Sequence, residues 1–259
     1  MPPVKIYDCS LFYDEFEQLE IRFNELKDVV DKFIICEGTR TFSRGRKDLL
    51  FEKNKERFAE FLDRVIYLVF DDGNYPDKKK FAFERAQRDS LIRGLPPTVG
   101  RDDIIILSDM DEVPRAESVK RFYEDKDKEF MTLRLHHYMY YLNSLLSKRL
   151  NGPVVFRYSY LGPLSFTEMR GKRRRSPRYG NAGWHFSCLG GVGRLSEKIK
   201  AYSHSDIFSR HIPNLEHKVE NRLCYYNDKP LVTVPIDDTF PLHVQNNPER
   251  WKDHICPLI

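Results

Sequence analysis

Ile104-Ile105-Ile106-Leu107-Ser108-Asp109-Met110-Asp111-Glu112-Val113-Pro114 is the stretch that decides the fold. Its four consecutive aliphatic residues show no polar alternation, which predicts a strand buried on both faces, as in a parallel sheet. The run ends in Asp-x-Asp, at the edge where open α/β sheets bind their ligands. Two neighbouring carboxylates repel, and burying them is costly unless a cation compensates. A divalent metal meets that need, and a metal between carboxylates commonly also holds phosphate oxygens. The plainer alternative is a strand that simply ends in a polar loop.

Upstream, the pattern is β-α repeated. Val4 to Cys9 reads as a first strand, and Asp14 with Glu17 as a capping pair. Phe16, Leu19, Phe23, Leu26 and Val30 then recur at helical spacing. Phe33 to Cys36 is a second buried strand ending at Glu37-Gly38-Thr39; a basic loop (Arg44 to Lys47) and a helix marked by Phe58, Phe61 and Leu62 follow. Val65 to Phe70 is a third strand ending in Asp71-Asp72-Gly73, and a helix from about Phe81 to Arg93 stops at Gly94 and Pro96-Pro97. Such alternation implies a parallel sheet with helices on its faces. The ligand crevice is expected near Cys9, Glu37, Asp71 and Asp109.

Downstream, the chain changes character. Phe130 to Tyr141 and Val154 to Tyr158 are strand-like, and Lys172 to Arg178 is a basic loop. Trp184-His185-Phe186-Ser187 precedes Gly190-Gly191-Val192-Gly193; Leu215, Val219 and Leu223 mark a helix, and Leu231 to Ile236 a late strand. His136 and His137 are adjacent on a strand, point to opposite faces and cannot readily share a metal. With no linker and no internal repeat, the expectation is one domain over 1–259, with a nucleotide half to about 115 and an acceptor half from about 116.

At 259 residues the chain can bury a substantial core. A net charge of +4 suits an anionic small ligand and is too weak to argue for nucleic acid. The five cysteines (Cys9, Cys36, Cys188, Cys224, Cys256) are odd in number and unclustered, against a disulfide framework or a zinc ribbon. A reducing compartment follows as the simpler reading. The sequence shows no signal peptide and no transmembrane anchor, so the expected location is cytoplasmic.

Five motifs occur together and in order: the Asp8-Cys9 strand, the Phe33-to-Phe42 segment, Gln87-Arg88, Ser108-Asp109-x-Asp111-Glu112-x-Pro114 and Gly183-Trp184-His185-Phe186-Ser187. On these the chain, over about Lys5 to Asp206, resembles glycosyltransferase family 17. That family includes β-1,4-mannosyl-glycoprotein β-1,4-N-acetylglucosaminyltransferases. The resemblance implies a GT-A-type, Rossmann-like α/β fold with a mixed, mostly parallel sheet flanked by helices. It implies a UDP-sugar donor (N-acetylglucosamine or a related sugar), a glycan or glycoprotein acceptor, a divalent Mn²⁺ or Mg²⁺ ion and inversion at the anomeric carbon. Animal members carry a membrane anchor and Cys-rich surroundings, which are not seen here; the chain looks more like the compact members from microbes or viruses.

Within that frame, Asp111 is expected to ligate the metal, with Asp109 nearby as a second ligand or against the donor ribose or sugar. His185 is the expected third ligand, set against a core histidine. Glu112 either orients the pair or is an exposed helix-start acid. Glu84, Gln87 and Arg88 share a helix face, either with Gln87 and Arg88 toward the donor and Arg88 on its phosphates or on Asp109, or as an ordinary surface helix with i,i+4 charge pairs. Asp8, Glu37 and Asp71 either contact uracil or ribose or cap loops. Trp184 is either an acceptor-stacking platform or a core aromatic. An inverting reaction needs a base, and Asp206 (supported by His204), Glu168 and Glu197 are the candidates. The Lys172–Arg178 loop either covers the diphosphate or is solvated.

Two rivals stand beside this reading. A haloacid-dehalogenase-like phosphatase would use Asp109 as nucleophile, but there a small hydroxyl residue normally follows the pair, near the chain start. A non-enzymatic RNA-binding module would use Arg173 to Arg175 with the many aromatic residues; the low net charge and the lack of an aromatic RNA motif count against it.

Overall fold

The structure is a computed structural model that describes residues 3–43, 45–71, 81–201 and 209–258. Strands β1 (Ile6–Phe12), β2 (Lys32–Gly38), β3 (Val65–Phe70) and β4 (Ile104–Asp109) are mutually parallel, in the order β3-β2-β1-β4. Helix α1 (Phe16–Leu26) links the first pair. The second connection is a short α2 (Leu50–Asn54) continued as 3₁₀ turns to Arg64, with Phe58 off helical geometry. Helix α3 (Ala82–Ser90) leads toward β4.

Strand parity explains the Ile104–Leu107 run. Ile104 and Ile106 face the cluster of Leu19, Phe23 and Phe33, while Ile105 and Leu107 face that of Phe156, Phe166 and Met169. All four are fully buried, so neither face tolerates a polar residue. Truncating one to Ala costs about 2–5 kcal/mol through lost transfer energy and a residual cavity.

Beyond β4 the sheet turns antiparallel and curls. A two-residue link, Met110-Asp111, leads into β5 (Glu112–Pro114), and helix α4 (Ala116–Glu124) follows. The long β6 (Phe130–Met139) and β7 (Ser144–Arg157) form a bulged antiparallel pair, with β7 against β4. Helix α5 (Phe166–Gly171), the two-residue β8 (Arg178–Tyr179) and β9 (Gly183–Ser187) come next. The sheet path runs β3-β2-β1-β4-β7-β6-β9-β5. Its last strand is therefore only two residues from its central one, so the far end curls back over the middle.

The mixed, mostly parallel α/β sheet agrees with the expectation. Differences in detail have local causes. β1 runs to Phe12, because both its neighbours continue to pair with it. β7 begins ten residues before Val154, through a polar segment whose pairing with β6 holds it extended. The late strand shortens to β10 (Val232–Thr233) on the end of β7. Helix α6 (Gly191–Ala201), masked in the sequence by its glycines, was not expected. Among the described residues no helix is long and apolar enough to cross a membrane.

Candidate active site

The site is built around the link from β4 to β5. Leaving the sheet centre, the chain must reach the curled-back edge within Met110 and Asp111, which puts Asp109 and Asp111 at the two lips of that crossing. β5 pairs with β9 in the register Glu112↔His185, Val113↔Trp184 and Pro114↔Gly183. Gly183 permits this approach: its φ is +146°, and a Cβ there would lie 2.2 Å from the Val113 carbonyl oxygen. The Phe186 amide donates to Asp111 O at 2.9 Å, and His185 Nε2 comes 3.2 Å from Asp111 Oδ1.

Two buried arginines hold the link from opposite sides. Arg22 of α1 lies inside the curl and donates to Asp8 on β1 (2.6 and 2.5 Å), Ser108 Oγ on β4 (2.5 Å) and Glu112 O on β5 (2.7 Å). Arg170 of α5 grips the Glu112 carboxylate on both oxygens (2.5 Å each) and reaches Asp109 Oδ2 at 3.1 Å. Glu112 in turn accepts from the Asp109 amide at 3.2 Å. Of its two readings, the orienting one is realised.

The carboxylates of the pair have different partners. Asp109 meets Arg170 and, at 3.2 Å, Arg88. Burial alone would raise its pKa, but these guanidiniums hold it below the usual carboxylate range. Asp111 meets Lys198 Nζ at 3.2 Å on Oδ2 and His185 on Oδ1. Again burial opposes ionisation and is outweighed, here by Lys198 and His185. For His185, burial lowers and Asp111 raises the pKa, with a net rise.

A cleft open to solvent lies before these groups. It sits at the C-terminal ends of β1, β2 and β4, where the strand order reverses, the position expected for a ligand in such a sheet. Gln87, Arg88 and Asp109 line it, with Glu84 from the same helix as Gln87 and Arg88. Tyr13, Phe42 and Lys198 also line it, and the sequence reading had not singled them out.

Other expected residues lie elsewhere. Asp8 is 1% exposed, with both oxygens on Arg22, so it braces the fold rather than meeting a ligand. Glu37 is buried and accepts from Lys47, Tyr67 and the amides of Leu50 and Phe51, the loop-capping alternative. Asp71 is exposed beside Thr39 and does not line the cleft. Trp184 is 1% exposed, bonded to Thr239 O and covered by Arg115: a core aromatic, not an open platform. Glu168 forms the capping box of α5 with Ser165, which engages its carboxylate outside the cleft. Glu197 is exposed on α6 and lines neither this cleft nor the one beside it. Asp206 and its neighbour His204 lie outside the described residues.

Among the described residues no three His, Cys, Asp or Glu side chains converge as a metal cage. Asp111 and His185 nonetheless suit a divalent ion. Their 3.2 Å separation is close to the roughly 3 Å edge that two adjacent ligands span at bonds of about 2.1 Å. Mg²⁺-type sites often take only one or two protein ligands and fill the rest with phosphate oxygens and water.

Comparison with known sequences settles the family. The model for "Glycosyltransferase family 17" matches residues 1–237. The chain belongs to glycosyltransferase family 17. It is 32% identical over 127 residues to the β-1,4-mannosyl-glycoprotein 4-β-N-acetylglucosaminyltransferase of Homo sapiens and 30% to that of Rattus norvegicus. Each match spans 45% of this chain and 23% of the relative's length. Among solved structures, the inositol-1-phosphate CTP transferase of T. maritima is similar at 14% identity and a TM-score of 0.39, covering 76% of this chain and 96% of that one. The galactosyltransferase LgtC is similar at 10% identity and a TM-score of 0.34, covering 80% and 82%.

Proposed function

We propose that this family 17 chain transfers a sugar from a nucleotide-sugar donor to a hydroxyl of a glycan acceptor. The observation that carries the reading is the Asp111–His185 pair at the lip of a switch-point cleft, with Arg88 and Lys198 supplying positive charge beside it. The names of the relatives suggest N-acetylglucosamine as the transferred sugar and a β-mannosyl glycoside as the acceptor, and we take UDP-N-acetylglucosamine as the donor. The rival roles for Asp109 and for Arg173 to Arg175 have no comparable support: Asp109 is held between two arginines, unlike a free nucleophile.

In this account the donor diphosphate enters the cleft lined by Tyr13, Phe42 and Arg88. Asp111 and His185 would hold a divalent ion, which when bound neutralises diphosphate charge. Arg88 keeps its positive charge, Asp109 raising its pKa against the effect of burial, and offers a fixed donor to an anionic ligand. Lys198 brings a second fixed cation to the same edge as negative charge develops on the leaving oxygen. Arg22 and Arg170 keep the Asp109–Asp111 link in place, so little reorganisation is needed at the moment of transfer. The bond from the anomeric carbon to the phosphate oxygen breaks as the bond to the acceptor oxygen forms, with inversion, and the hydroxyl proton passes to a base.

A thermal-shift panel of nucleotide sugars with and without Mn²⁺ tests the proposal. A true donor at 100 times its Kd stabilises the fold by about 2.7 kcal/mol. Stabilisation by a UDP-sugar that needs Mn²⁺ is expected; no response to any nucleotide sugar would remove the reading.

A further inference from the structure

A second cleft, open and of about 910 Å³, meets the first along a shared edge. Asp111 and Lys198 line both. Their chemistry differs sharply. The first cleft carries Arg40, Lys47, Glu84, Arg88 and Asp109. In the second, among the described residues, Asp111 and Lys198 are the only acid and the only Lys or Arg, and both sit on the shared edge.

Its walls are apolar and aromatic. Met139, Leu195 and Ile199 give it aliphatic flanks, and Tyr225 and Tyr226 stand ring-to-edge at 5.1 Å and 86°. Tyr226 is 37% exposed, so its ring is presented rather than packed away. The floor has a small polar set. Ser187 Oγ donates to Tyr138 O at 3.1 Å, so His137 Nε2, 2.9 Å away, donates to Ser187 and keeps Nδ1 as an acceptor. The His137 ring stacks on His185 with centroids 4.5 Å apart.

Apolar walls with a few polar atoms at one end suit a ligand that has one apolar face and a hydroxyl rim. A pyranose ring is such a ligand; an alkyl chain would leave the His137–Ser187 floor unmatched. We propose that this second cleft is the acceptor site, that it takes a pyranoside with its ring face against Tyr226 and its rim beside Tyr225, and that a ring hydroxyl thereby reaches the Asp111–Lys198 edge. The assignment rests on the first cleft being the donor site.

Saturation-transfer NMR on the full chain tests it with methyl β-mannopyranoside, methyl β-glucopyranoside and hexanol as probes, and calorimetric titration with UDP and Mn²⁺ reports separately on the donor cleft. At least one pyranoside should receive saturation at its ring protons, and added UDP should leave that signal in place. Tyr226→Ala and Tyr225→Leu should each weaken pyranoside binding about fivefold, the scale of a lost aromatic contact, with UDP binding unchanged. The proposal is overturned by displacement of the pyranoside by UDP, by undiminished binding in both variants, or by hexanol binding where no pyranoside does. Failure of UDP to bind counts against the donor reading and leaves the pyranoside result to judge the second cleft by itself.

Discussion

Arg22 closes on Asp8 with two hydrogen bonds, Nε to Oδ2 at 2.6 Å and Nη2 to Oδ1 at 2.5 Å, and neither side chain is more than 1% exposed. The same guanidinium reaches Ser108 on β4 and Glu112 O on β5. One side chain thus ties the strand before the Asp-x-Asp link, the strand after it and the strand beside it. The bond network converts a curled sheet into a fixed position for Asp109 and Asp111.

Removing one member of that buried pair strands the other charge. Asp8→Asn is expected to lower stability by about 3–5 kcal/mol, the usual cost of breaking a buried pair. Urea unfolding checks this: a loss under about 1 kcal/mol would mean that the pair does not hold the curl.

Arg170 should act on chemistry more than on folding. Arg170 meets Glu112 and Asp109 through Nη2 while its Nη1 donates to Gly152 O; lysine keeps the charge but has one nitrogen and cannot serve both ends at once. Arg170→Lys is expected to lower kcat at least about tenfold, in line with the cost of misplacing a reacting group, with a smaller change in the donor KM. An unchanged kcat would reduce Arg170 to a packing residue.

Asp14 predicts a pH effect on stability. Burial first, then Glu15, raise its pKa to about 6 against the pull of Arg194. Its folded value lies above its unfolded one, so its contribution is fully present below about pH 4 and is lost as pH rises through about 6. Asp14→Asn should therefore raise Tm relative to the parent at pH 8 and lose that advantage at pH 4. Melting curves at both values decide; an advantage that grows in acid contradicts the assignment.

Much of this was legible in the sequence. The Ile104–Leu107 run and the β-α repeats gave the parallel half, because a strand buried on both faces leaves no choice of composition. The nearness of His185 to Asp111 was implied by the family resemblance. Arg22 could have been found: it falls on the apolar stripe of α1, three residues after Leu19 and four before Leu26, where a charge must be paired. Other features were hidden for physical reasons. A carboxylate at a strand end looks the same whether it meets a ligand, a helix start or a buried arginine, so Asp8 and Glu37 could not be separated from Asp109. Trp184 and His185 are neighbours on one strand and so face opposite ways, which makes one of them core. Lys198 depended on α6, whose glycine-rich start reads as a loop.

The most direct test is a turnover assay of the intact chain with UDP-N-acetylglucosamine, Mn²⁺ and a β-mannosyl glycoside, with UDP and extended glycoside both quantified. The account predicts UDP and extended glycoside in equal amounts, with both lost in Asp111→Asn and in chelator while that variant still melts cooperatively. Full turnover by Asp111→Asn, or phosphomonoester cleavage with no extended glycoside from any nucleotide sugar, would contradict it.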